Sequence, residues 1–169
     1  MKISRPFILI ITLGFIVAGI LYLQGMQQPV LLSNSSSSID KTGLGNFPYE
    51  LQNPSGFINT DNTFSLASHI GKQIILVDFW TYSCINCQRT IPYLNAWYDK
   101  YHDKGLLMVG VHAPEFEFEK VQKNVETAVN KFGIKYPVVL DNNMATWRAY
   151  GNRYWPHKYI FDINGKLVY

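Results

Sequence analysis

The stretch that most restricts what this chain can fold into is a junction. Residues 74 to 80, Ile-Ile-Leu-Val-Asp-Phe-Trp, run almost unbroken in apolar character and lead through Thr81-Tyr82-Ser83 into Cys84-Ile85-Asn86-Cys87. A continuous apolar run, rather than an alternating one, suits a central strand covered on both faces. From Cys84 the period changes: Ile91, Leu94, Tyr98 and Tyr101 recur three and four apart until Lys104-Gly105. That is an amphipathic helix with a glycine stop. A Cys-x-x-Cys pair where a buried strand hands over to a helix leaves few architectures open.

No other cysteine occurs in the 169 residues. A multi-disulfide framework is therefore excluded. A closed zinc site needs four ligands, and His69, His102, His112 and His157 are scattered singly. Covalent haem attachment needs a His directly after the second Cys, where Gln88 stands. What remains is a redox dithiol, with no metal or cofactor expected.

The attacking species in disulfide exchange is a thiolate, so a working site must stabilise one sulfur as the anion. Cys84 falls where strand gives way to helix, where unsatisfied N–H groups and the positive helix end favour an anion. Cys87 lies almost one turn further on the same face, within closing distance of a disulfide. We assign Cys84 as nucleophile, Cys87 as resolving thiol and Cys84–Cys87 as the redox-active disulfide.

Asp78 interrupts the apolar run, and carboxylates are rarely buried without partner or purpose. In that strand its pKa would be raised, and it would relay a proton to or from Cys87. A solvent-facing strand-end Asp is the competing reading. Pro92, inside the first helix, removes a hydrogen bond and bends the axis. Pro156, between Trp155 and His157 before a late strand, is a site for a cis bond.

The remaining pattern alternates strands and helices. Leu106 to Val111 reads as a second buried strand. Glu117 to Phe132 reads as a second helix with Val121, Val125, Ala128 and Phe132 on one stripe, ended by Gly133. Tyr136 to Leu140 is a short strand, Met144 to Tyr150 a short helix, and Lys158 to Phe161 a strand turning at Asn164-Gly165. This order predicts α/β layers with helices on both faces of a sheet. Glu115, Glu117, Glu119, Lys120 and Lys123 read as an exposed helix start. His112 and Glu115, near a strand end, read as solvated or hydrogen-bonded structural groups, with a place on the rim of the site as the alternative.

At the N-terminus Lys2 and Arg5 precede an uncharged, mostly apolar run from Phe7 to Leu23. As a helix it would measure roughly 26 Å, enough to cross a hydrocarbon layer of about 30 Å. A cleaved signal peptide is the alternative, but the run is longer than usual for one and lacks a clear Ala-x-Ala site. Positive charge before the span keeps residues 1–6 in the cytoplasm and sends the remainder across. Residues 24–38, ending Ser-Asn-Ser-Ser-Ser-Ser, form a flexible spacer, and one folded domain occupies 39–169. Without Lys2 and Arg5, 13 basic residues face 12 acidic ones. No basic footprint for nucleic acid is present.

Val77-Asp78-Phe79-Trp80, the Cys-x-x-Cys, Pro92 five residues after Cys87 and Pro156 together resemble the thioredoxin fold. The string from Asp78 to Thr90 is similar to thioredoxin-like redoxin domains of the TlpA and DipZ type. So are Gly110-Val111-His112-Ala113-Pro114-Glu115-Phe116, Tyr136-Pro137-Val138 and Tyr154-Trp155-Pro156. The resemblance implies a central mixed β-sheet flanked by helices, with a strand–helix insertion between Leu106 and Leu140. It implies a disulfide reductase acting on protein substrates outside the cytoplasmic membrane, with Trp80 packed under the dithiol. Pro156, cis, with Trp155 and Pro92, would shape and support the substrate groove.

Three departures qualify it. Thr90 stands where members devoted to cytochrome c maturation often carry Glu, and Ile85-Asn86 replaces the Gly-Pro of thioredoxin. The chain stops at Tyr169, four residues after Gly165, so a truncated form lacking the C-terminal covering helix is expected. Electrons in an oxidising compartment must be supplied, and a membrane-embedded thiol donor is the expected partner. Two other functions compete. A thiol peroxidase draws on Thr81, three residues before Cys84, but lacks the accompanying Pro, since Val77 stands in its place. A non-catalytic tethered binding module would need no reactive thiol.

Overall fold

The computed structural model describes residues 47–169. The predicted span Phe7–Leu23 and the Ser-rich spacer lie outside the described residues. Among the described residues no helix is long and apolar enough to cross a membrane.

The apolar run forms strand β2, Ile74–Trp80, buried from its second residue onward. It lies between β3, Leu106–His112, which is parallel to it, and β5, His157–Phe161, which is antiparallel. β4, Val138–Leu140, pairs parallel with β3, and β1, Gly56–Ile58, closes the far edge antiparallel to β4. The sheet order is β1-β4-β3-β2-β5, a mixed five-stranded sheet. The helices are α1, Ile85–Tyr101, α2, Gln122–Lys131, and α3, Ala145–Ala149. The expected insertion between Leu106 and Leu140 is the parallel unit β3–α2–β4.

Alternation along β2 distributes its side chains to two cores. Ile75, Val77 and Phe79 join Val109, Val111, Val139 and Phe161 on one face; Leu76 and Trp80 join Met108, Val138 and Leu140 on the other. α1 covers the second face with Cys87, Ile91 and Leu94, and α2 adds Val125 and Val129. Among the described residues the first face is covered by the five-residue α3 and by the largely irregular segment from Phe47 to Ile70. Helices do lie on both faces, but unequally. The irregular segment is organised by Glu50, whose carboxylate accepts the N–H groups of Leu51, Leu66 and Ala67 and the Ser65 hydroxyl at 2.8 to 3.0 Å.

Several predicted boundaries move. The helix expected over 117–132 is broken: Glu117–Lys120 is a 3₁₀ turn, Val121 is extended (φ −74°, ψ 108°), and α2 starts at Gln122. Val121 is half exposed and not on the apolar stripe. Glu119, expected on an exposed helix start, is completely buried. Pro137 shortens β4 at its start, although Tyr136 stays buried. Met144, in the left-handed region at φ 54°, is the N-cap of α3, not its first residue. β3 runs one residue further than predicted, to His112, and β5 starts one residue earlier, at His157. α1 ends at Tyr101 and passes through a 3₁₀ turn, His102–Lys104, to Gly105 at φ 93°.

Gly110 pairs directly with Asp78 across β2 and β3. A Cβ built there would lie 2.9 Å from the Trp80 indole nitrogen and 3.2 Å from the Tyr136 ring. Gly110→Ala is therefore expected to destabilise the domain by about 1–3 kcal/mol through overpacking. Urea denaturation measures it, and an unchanged midpoint would show that Trp80 is free to move aside.

Candidate active site

Cys84 is the N-cap of α1, in extended conformation at φ −68° and ψ 112°. Its sulfur accepts the Cys87 N–H at 3.4 Å, and its carbonyl accepts the Gln88 N–H at 3.0 Å. The expected placement at a strand-to-helix junction is thus met, with the Sγ in the cap position that satisfies an otherwise unpaired amide. Cys84 is partly exposed and Cys87 is buried; both are free thiols. Burial pushes the Cys87 thiol far up, the Cys84 sulfur and the Asp78 charge add to this, and the Thr81 N–H works in the opposite direction.

Asp78 lies on β2 between Leu76 and Trp80, which share a face packed against α1, so its carboxylate is directed to the side that holds Cys87. It is 2% exposed. Burial pushes its carboxyl up to about 6, against the opposing charge and hydrogen bond of Lys158. Lys158 sits directly opposite it in β5, and its Nζ approaches Asp78 Oδ1 to 3.0 Å. Among the described residues Oδ1 has no partner besides Lys158. The Lys158 side chain, 20% exposed, also lines a surface pocket of about 460 Å³ with Tyr154, Pro156, His157 and Tyr169.

Trp80 is buried in one cluster with Cys87, Ile91 and Leu94, with its indole N–H unpaired. The Trp155–Pro156 bond is cis. Antiparallel pairing of Phe79 with His157 sets Pro156 level with Trp80, at the end of β2 from which the dithiol segment departs. Trp155 donates its indole N–H to the Ala113 carbonyl at 3.0 Å, tying this loop to the residue after β3. Pro92 lies inside α1 on its exposed side, and so away from the cysteines' buried side.

A second set of buried groups underlies the residues just before Cys84. Glu119 Oε1 accepts the Ser83 hydroxyl at 2.6 Å, and Oε2 accepts the Glu115 and Phe116 N–H groups at 2.6 and 3.0 Å. Burial works to raise this carboxyl, but the hydrogen bonds from Ser83, Thr81, Phe116 and Glu115 outweigh it and hold it below the ordinary range. His112, completely buried, stands 3.4 Å from the Thr81 hydroxyl through Nε2, while Nδ1 has no partner. Burial pulls its pKa down to about 4, against the Glu119 charge, so the ring is neutral at pH 7. Tyr82 stacks on it at 5.6 Å. Glu115, by contrast, is exposed.

Sequence reasoning missed Lys158 and Glu119. A lysine inside a predicted strand was a weak signal for the first. Glu119 was masked by neighbouring charges that do face solvent. No group of His, Cys, Asp and Glu among the described residues could hold a metal ion.

Residues 48–169 match the AhpC/TSA family. The chain is 46% identical over 143 residues to Protein DipZ of Mycobacterium bovis, a stretch covering 83% of this chain and 20% of that protein. It therefore spans about one fifth of the DipZ length. It is 34% identical over 98 residues to the thiol-disulfide oxidoreductase YkuV of Bacillus subtilis, covering 58% of this chain and 66% of that one. A thioredoxin-like protein solved in its oxidised form superposes with a TM-score of 0.63 at 28% identity, covering 72% of this chain and 83% of that one. The chain belongs to the AhpC/TSA family and carries a thioredoxin-like redoxin domain of the DipZ type.

Proposed function

We propose that the chain is a thiol–disulfide oxidoreductase that reduces protein disulfides on the outer side of the cytoplasmic membrane. The observation that carries this reading is the asymmetry of the dithiol: Cys84 reachable at a helix N-cap, Cys87 buried one turn further on, Asp78 buried behind it. Resemblance to DipZ and YkuV supports the reaction class. Lys2, Arg5 and the apolar run Phe7–Leu23 support a single-pass anchor with residues 39–169 outside. Such a domain draws its electrons from a membrane-embedded thiol donor.

The Cys84 thiolate attacks one sulfur of the substrate disulfide, forming a mixed disulfide and releasing one substrate thiol. Cys87 then attacks Cys84 Sγ, closing the Cys84–Cys87 disulfide and releasing the second thiol. For that step Cys87 must lose a proton that burial holds firmly. The Asp78 carboxylate, poised near neutrality, accepts it. Lys158 supplies the opposing charge that keeps Asp78 ionisable despite burial. Trp80 buttresses Cys87, and Trp155 and Pro156 shape the groove at the end of β2, while Pro92 lies on the exposed side of the helix that carries the dithiol.

Cys84→Ser is expected to abolish reduction of insulin disulfides. Cys87→Ala should accumulate mixed disulfides with substrates and donor; a catch of cytosolic proteins alone would refute both topology and scheme. Asp78→Asn is expected to slow release of the mixed disulfide by roughly a hundredfold. It should also remove an inflection near pH 6 from the single-turnover profile, and an unchanged profile would sink the relay.

The same residue links stability to pH. Its folded value, about 6, lies above its ordinary 3.8, so the native state binds the proton more tightly than the unfolded chain. The contribution is fully present below about pH 4 and is lost as pH rises through about 6, by at most about 3 kcal/mol. Asp78→Asn lacks this loss. Chemical denaturation of both proteins from pH 4 to 8 should show the wild type falling relative to the variant; parallel curves would contradict the raised pKa.

A further inference from the structure

Glu119 is an unusual buried charge. Its carboxylate is completely buried and is bound by neutral donors, the Ser83 and Thr81 hydroxyls and the N–H groups of Glu115 and Phe116. Among the described residues none of the ion pairs includes it; the neighbouring Lys120 pairs with Glu117 instead. Buried charges normally carry a cation or a metal. The titratable side chains facing it are His112 from β3, neutral at pH 7, and Tyr82. Nothing on these elements cancels its charge, and Ser83, which it holds at 2.6 Å, immediately precedes Cys84.

We infer that Glu119 is a positioning residue of the dithiol: a fixed buried anion under the Cys84-bearing segment that biases the pair toward the disulfide and makes it a donor of electrons. This rests on the dithiol reading above. The oxidised pair is neutral, whereas the reduced pair works through an anionic sulfur, whose energy a nearby uncompensated negative charge raises through low-dielectric surroundings. A destabilised reduced form gives a lower potential, as a stabilised one gives a stronger oxidant. The bond from Ser83 gives the carboxylate its place without neutralising it.

The test is the equilibrium of the full chain with glutathione. At a pH above the ionisation of the Cys84 thiol, two glutathione thiols reduce the Cys84–Cys87 bond: two electrons pass to the cysteines, one proton stays on Cys87, the other is released as Cys84 remains a thiolate, and one glutathione disulfide forms. Glu119→Gln keeps size and most hydrogen bonding but removes the charge. It is expected to shift the equilibrium about tenfold toward the dithiol, about 30 mV for a two-electron couple. Ser83→Ala cuts the same hydrogen bond and leaves the charge, so it is expected to stay within threefold of wild type. Equal shifts in both variants, or no shift in a folded Glu119→Gln, would overturn the inference and leave Glu119 a brace. Should Glu119→Gln fail to fold, a tenfold rise in Ser83→Ala alone overturns it, and a Ser83→Ala equilibrium within threefold of wild type counts for it. A wild type that forms no reversible disulfide with glutathione would instead overturn the dithiol reading itself.

Discussion

Placing Asp78 at the middle of a fully covered strand obliges the surrounding sheet to answer it. Its neighbour in β3 is Gly110, which offers no side chain because the Trp80 indole and the Tyr136 ring occupy that space. Compensation comes from the other side, where the antiparallel register sets Lys158 opposite. A slip of one residue in β5 would carry Lys158 to the other face and leave the carboxylate alone. The pair is not there for stability, since a buried ion pair seldom exceeds its desolvation penalty. It keeps a proton-accepting group beneath Cys87 in a strand otherwise built from Ile, Leu, Val, Phe and Trp.

Three further carboxylates organise segments that have no regular structure of their own. Glu50 gathers the N–H groups of Leu66 and Ala67 where the chain enters the 3₁₀ turn Ala67–His69. Asp141 receives those of Thr146 and Trp147 at the start of α3. Glu119 receives those of Glu115 and Phe116 in the turn after β3. The physical device is shared: an anion collects backbone donors that a short helical turn leaves unpaired. Only Glu119 extends the device to the dithiol, through Ser83. The irregular parts of the fold are therefore built on charge, and the regular parts on apolar burial.

This division explains what could be read from the sequence. The junction of β2, dithiol and α1 was legible because hydrophobic period changes there within a few residues, and Asp78 stood out against an apolar run. β1 was invisible: three residues at a sheet edge, starting with Gly56, carry no period. The break at Val121 was hidden because Val121, Val125, Ala128 and Phe132 keep helical spacing through a residue that is extended. What interrupts the helix is the Glu119 carboxylate turned back onto the preceding amides, a tertiary choice that spacing does not encode. Lys158 and Glu119 acquire meaning only once strand register and loop path bring them to the site.

The two sulfurs end in contrasting surroundings, and the contrast orders the reaction. Cys84 is partly exposed, shares its sulfur with an amide at a helix N-terminus and is reached first by any incoming disulfide. Cys87 is buried among Trp80, Ile91 and Leu94 and faces the Asp78 charge, so its proton leaves only when a base is at hand. A mixed disulfide on Cys84 is therefore the natural first product, and its resolution waits on proton transfer inside the core. The apolar packing that buries Cys87 and the ion pair that holds Asp78 thus act on the same step, one by retaining the proton and the other by keeping its acceptor ionised.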